Sequence, residues 1–140
     1  CDIDKAREMA CNSRGDIYQK GPDEDVDTIY KGLFGKKGRI HVAATPPVAI
    51  SEDANSLAAA IDRAIHSSFK LFPSHIWAWY QLNPDQSELW LQLASSYPDC
   101  DWPAVAEEFE RRLRGQSQEV IDQVFSAYAK PVSNALLARL

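Results

Sequence analysis

No stretch of this sequence approaches the roughly 18 consecutive apolar residues that a membrane-spanning helix needs. The longest uncharged apolar run, from Ile76 to Leu82, covers only about two helical turns. A basic excess is lacking too. With 15 Lys+Arg against 20 Asp+Glu, the formal net charge is -5. This is the opposite of the surplus with which a duplex-binding domain neutralises phosphates. Cysteine is scarce: three residues, at 1, 11 and 100, with no CxxC and no Cys/His metal spacing. The three histidines, His41, His66 and His75, show no HExxH spacing. No N-x-S/T sequon, internal repeat or low-complexity segment occurs. These absences leave no cofactor and no metal site to expect, and they make an enzyme the less favoured class.

What is present suits one ordered domain over residues 1–140. Hydrophobic residues make up 45% and charged residues 25%, ordinary globular values that exclude global disorder. A chain of 140 residues buries on the order of two-thirds of the surface its unfolded form exposes.

Apolar spacing points to a mainly α fold, with five or six short helices preceded by an irregular N-terminal third. Ile3, Ala6, Met9 and Ala10 share one helical face over residues 2–12. Ser13-Arg14-Gly15-Asp16 breaks it; the Arg-Gly-Asp tripeptide within is read as a turn. After Gly21-Pro22 comes an acidic run, Asp23, Glu24, Asp25 and Asp27. Residues 22–43 read as a β-hairpin, Thr28-Ile29-Tyr30 and Arg39-Ile40-His41-Val42 flanking Gly35-Lys36-Lys37-Gly38. The competing reading is a helix from Pro22 to about Leu33 followed by a loop. Ala44-Thr45-Pro46-Pro47 is an extended linker, because each proline pushes its predecessor out of the helical region.

From residue 48 the pattern is a bundle. Ser51 is the expected cap of a helix whose buried stripe is Leu57, Ile61, Ile65, Phe69 and Phe72. Short helices follow around Ile76, Trp77 and Tyr80, and around Leu89, Trp90, Leu93 and Tyr97. Asp101 and Pro103 open another helix, with Val105, Phe109 and Leu113 facing inward. Glu107–Arg111, Glu108–Arg112 and Glu110–Arg114 are i,i+4 pairs, and Gly115 is the C-cap. Ser117 caps a helix through Tyr128, and Pro131 is expected to open a last segment with Leu136, Leu137 and Leu140.

Four sets of residues carry the functional expectations. The aromatic set Trp77, Trp79, Tyr80 and Trp102 is the candidate partner-binding surface, since Trp and Tyr dominate interface hot spots. The favoured reading of this cluster is a core whose polar tips reach the surface. Because Trp77 and Trp79 are two apart on a helix and cannot both point inward, the competing reading makes Trp79 partner-facing. On that reading Trp79→Ala leaves the fold nearly intact. The basic turn Lys31, Lys36, Lys37 and Arg39 is a candidate anion or nucleic-acid contact. Cys1 stands where a mature bacterial lipoprotein begins, which makes it a candidate for lipidation and a membrane tether. Cys11 and Cys100 then remain as a candidate disulfide; the alternative is a fragment with free thiols. Cys100 sits between Asp99 and Asp101, an anionic setting that opposes a nucleophilic thiolate. His75 is the histidine considered as its partner in a small Cys/His enzyme.

The class these features favour is a non-enzymatic protein-binding module: an adaptor, an accessory subunit of a larger assembly, or an immunity-type inhibitor. An acidic surface suits a basic protein partner. Its compartment is the cytoplasm or, with Cys1 lipidated, the bacterial cell envelope. Nucleic acid is the disfavoured alternative.

Overall fold

A computed structural model describes residues 2–35, 38–50 and 53–137. Seven helices occur among the described residues: α1 (Asp2–Ser13), α2 (Glu24–Phe34), α3 (Ala54–Ser68), α4 (Pro73–Leu82), α5 (Ser87–Ala94), α6 (Trp102–Leu113) and α7 (Gln118–Leu137). The mainly α class holds.

Each boundary has a local cause. Asp53 caps α3 by accepting from the backbone N–H groups of Asn55 and Ser56; Ser51, the expected cap, lies outside the described residues. Pro73 and Pro103 occupy first-turn positions, where a missing N–H costs no intrahelical bond. Asp101 Oδ1 accepts from Ala104 N–H at 3.0 Å. Asn83 Nδ2 closes α4 by donating to the Trp79 carbonyl at 2.8 Å. After α6, Gly115 adopts φ +79, the left-handed conformation a glycine reaches without steric cost.

The core is built on α4 and α7, which pack along each other, with α1, α5 and α6 around them. One buried cluster joins Ala6 and Ala10 of α1, Ala78 of α4, Phe109 and Leu113 of α6, and Val120 and Val124 of α7. The second joins Ile76 and Trp79 of α4, Leu93 of α5, and Ala129 and Val132 of α7. Ala6 and Ala10, one turn apart, let the α1 backbone approach α7 closely. No polar or charged side chain is fully buried among the described residues.

Four expectations need correction. The hairpin over 22–43 is not formed. Glu24–Phe34 is helix and residues 38–50 are irregular, with no strand among the described residues. The β-compatible Ile29-Tyr30 pair yielded to an apolar spacing of three and four and to Glu24 and Asp25 in the first turn, where acids favour the helix dipole. Pro131 does not open a new segment but lies inside α7; Leu140 lies outside the described residues. The N-terminal third is not merely a preface, since α1 supplies part of the core. The stripe on α3 is not a buried seam: Ile61, Ile65 and Phe69 are 42%, 51% and 46% exposed. Helix α3 touches α7 only lightly. A cavity of about 460 Å³, lined by His66, Phe69, Leu71, Ile76 and Leu93 among others, lies beside its C-terminal end.

The predicted i,i+4 ladder on α6 is also rearranged. Glu108 pairs with Arg111 at 2.8 Å. Arg112 turns away to Asp2 of α1 and donates to Tyr128 Oη of α7 at 3.3 Å.

Candidate functional site

The aromatic residues between α4 and α6 are brought together, and for Trp79 the core reading holds while the partner-facing one does not. Trp79 is only 6% exposed and belongs to the core. Helix α4 is covered on more than one side, so two residues on different faces both find partners. Trp77, Tyr80 and Trp102 are half-buried and converge on Trp90. Tyr80 stacks on Trp90 with centroids 4.7 Å apart, and Trp102 meets it edge-on at 4.6 Å. These rings are largely occupied with one another, in the offset and T-shaped arrangements aromatic pairs favour.

A cleft of about 970 Å³ opens between the α3–α4 turn, the α5–α6 turn and α7. Phe72, His75, Cys100, Phe109, Arg112 and Tyr128 are among its walls, and Arg39 reaches its lip. Cys100 and His75 therefore share one cleft. Burial, with Asp101 adding to it and Arg39 opposing it, pushes the Cys100 thiol above its ordinary value. His75 is held below the usual imidazole value by burial. Its Nδ1 accepts the Phe72 N–H at 3.0 Å. A thiol kept protonated and an imidazole nitrogen engaged by backbone both oppose a thiolate–imidazolium pair.

At the cleft wall, Asp2, Arg112 and Tyr128 form a half-buried cluster linking α1, α6 and α7. Tyr128 Oη donates to Asp2 Oδ2 at 3.0 Å. Burial tends to raise the Asp2 pKa. The Arg112 charge, with hydrogen bonds from Tyr128, Arg112 and Ile3 N–H, outweighs this and holds it below the usual carboxylate value. The Arg112 guanidinium also lies over the Phe109 and Tyr128 rings, at 5.9 and 5.5 Å.

The basic turn does not form one patch among the described residues. Lys31 reaches Asp4 of α1 at 3.7 Å, and Arg39 lies toward Tyr97 and Cys100. Lys36 and Lys37 lie outside the described residues, as does Cys1, the candidate lipidation site. Cys11 and Cys100 are free, partly buried thiols, one on α1 and the other before α6, so the expected disulfide is not formed.

The surface that sequence reasoning missed is α2. Val26, Ile29, Tyr30, Leu33 and Phe34 recur at i, i+3, i+4, i+7 and i+8, one continuous helical face. They are 62% to 72% exposed, and no residue of α2 is buried. The helix is held instead by its polar back. Glu24 accepts from Tyr18 Oη at 2.9 Å and from Gly21 N–H at 3.1 Å, while Lys31 pairs with Asp4. Glu24 and Lys31 are seven apart and so share a face, opposite the apolar one. Its spacing was the available signal, masked by the β propensity of Ile29 and Tyr30.

Among the described residues no group of three or more His, Cys, Asp or Glu side chains is placed to hold a metal ion. No described helix is long and apolar enough to cross a membrane. Comparison with protein-family models, with curated proteins and with solved structures finds no match to this chain.

Proposed function

We propose that this chain is a non-enzymatic protein-binding module, acting as an adaptor, an accessory subunit of a larger assembly or an immunity-type inhibitor, and that α2 is its principal contact. The observation that carries this reading is the inverted setting of α2. A helix packed for stability turns its apolar face to the core, whereas α2 turns Val26, Ile29, Leu33 and Phe34 to solvent. A contiguous exposed apolar face of this kind marks an interaction site. The body formed by α1 and α4–α7 supplies the stability, which leaves α2 available for recognition.

The test is Ile29→Asp/Leu33→Asp in the full chain. The variant is expected to keep its helical circular-dichroism spectrum and to lose less than about 1 kcal/mol of stability, as for exposed positions. Capture of the wild-type chain's partner from cells of its source should fall to background. Unfolding of the variant would show that this face is internal. Undiminished capture would place the contact elsewhere.

A further inference from the structure

We infer that α2 is a helix-in-groove ligand whose receptor is a protein with an apolar groove rimmed by Lys and Arg. This rests on the reading of α2 as a docking surface and adds the chemistry of what receives it.

Five apolar positions at i, i+3, i+4, i+7 and i+8 are the anchor pattern with which an amphipathic helix fills a groove. A flat partner surface would engage a narrower stripe than one running from Val26 to Phe34. Two of the anchors are aromatic, Tyr30 and Phe34, stacked at a centroid distance of 4.8 Å. At 63% and 72% exposed, each offers about 100 Å² or more for burial on the scale of a whole aromatic side chain.

Charge decides what surrounds the groove. At 100° per residue, Asp25 and Asp27 flank the apolar face on opposite sides, and Asp23 lies just before its N-terminal end. All three are exposed. Within α2 the only basic residue is Lys31, on the polar back beside Asp4. Asp25 also pairs with Lys20 at 2.7 Å, an exposed contact that water screens, so Asp23 and Asp27 carry most of the negative charge beside this face. A groove rimmed by Lys and Arg would attract them, and one with acidic walls would repel them. The same charges disfavour an anionic lipid surface, which binds helices whose polar face is basic.

The mounting fits insertion. Residues 16–21 before α2 and 38–50 after it have no regular structure, and Ile40, Val42 and Ile50 in the second segment are 73%, 87% and 94% exposed. Apart from the Lys31–Asp4 pair, α2 has no more than peripheral contact with the other helices. Its apolar face can therefore enter a concave surface without displacing the body.

The experiment places a photoreactive phenylalanine analogue at Leu33 of the full chain, irradiates it in cells of its source and maps the adduct by mass spectrometry. An adduct inside an apolar groove bordered by Lys or Arg is expected. With Asp23→Asn/Asp25→Asn/Asp27→Asn, binding to that purified receptor should weaken about tenfold, and added salt should weaken wild type more than the variant. An adduct on a neutral or acidic surface, on a second copy of this chain, or unaffected by the neutralisation overturns the basic groove and leaves α2 as a docking helix. Cross-linking only within the chain, or binding only to phosphatidylcholine–phosphatidylglycerol vesicles, overturns both.

Discussion

Trp79→Ala is expected to destabilise the protein by about 3–5 kcal/mol, the range for removing a large side chain from a packed core. Trp79 is 6% exposed and shares its cluster with Ile76, Leu93, Ala129 and Val132, so the substitution empties space that α4, α5 and α7 all border. Those helices meet through several side chains and cannot collapse on one void without losing contacts elsewhere. Domains of this size hold about 5–15 kcal/mol in total, so the loss is a large fraction of the whole. Thermal unfolding followed by circular dichroism should show a midpoint lowered by about 10 °C or more. Trp77→Ala provides the contrast. Its half-buried ring leans on Tyr80 and Trp90 at the surface, and a cost of about 1–2 kcal/mol is expected. Equal and small effects from both would remove Trp79 from the core.

The second large effect is at Arg112. Arg112→Met removes its contacts with Asp2 and Tyr128 while keeping much of the apolar cover over Phe109. Hydrogen bonds to charged groups contribute about 1.5–3 kcal/mol. Because Asp2 keeps 38% of its side-chain surface exposed, solvent screening lowers the expected loss to about 1–2 kcal/mol at neutral pH. The pH dependence gives the sharper reading. Asp2 is held below its ordinary value of 3.8 in the folded state. It therefore binds a proton less readily folded than unfolded, and stabilises the fold above that pH. This contribution is lost as pH falls below 3.8 through the folded value. In Arg112→Met the main force lowering Asp2 is gone and burial still raises it. The gap between wild type and variant, measured by urea unfolding, should be widest near pH 7 and shrink toward pH 3. A constant gap would mean that Arg112 acts by packing alone.

Trp77 and Trp79 show how far the sequence could be read. Their separation establishes that they face different ways, but not that both faces of α4 are covered. That depends on α7, α5 and α6 arriving from different sides, a long-range matter on which spacing within one helix is silent. Proline and capping signals are more local and more dependable: Asp101, Pro103 and Gly115 all mark real boundaries. Pro131 misled because a helix anchored by Val124, Ala129 and Val132 carries one proline without ending. The i,i+4 spacing gives Arg112 a neighbour on its own helix, whereas its partner comes from the opposite end of the sequence.

The same limit hid the main candidate surface. Ile61 and Ile65 on α3 repeat as regularly as any core stripe, and so do Ile29 and Leu33 on α2. Periodicity identifies an apolar face; the rest of the fold determines whether anything within the chain covers it. Among the described residues nothing does so extensively for α2, and for α3 the cover is partial. The candidate surface therefore becomes visible only where sequence pattern and tertiary packing disagree.

Amide hydrogen exchange, resolved by residue and run at low protein concentration without a partner, tests this division most directly. Amides of Ile76–Trp79 in α4 and Val124–Val132 in α7 should exchange slowest, near the rate set by global unfolding. Those of Ile29–Phe34 in α2 should exchange orders of magnitude faster through local opening. Protection of α2 equal to that of α4 in the dilute monomer would contradict the account, because its apolar face would then be part of the body and not a surface held ready for another protein.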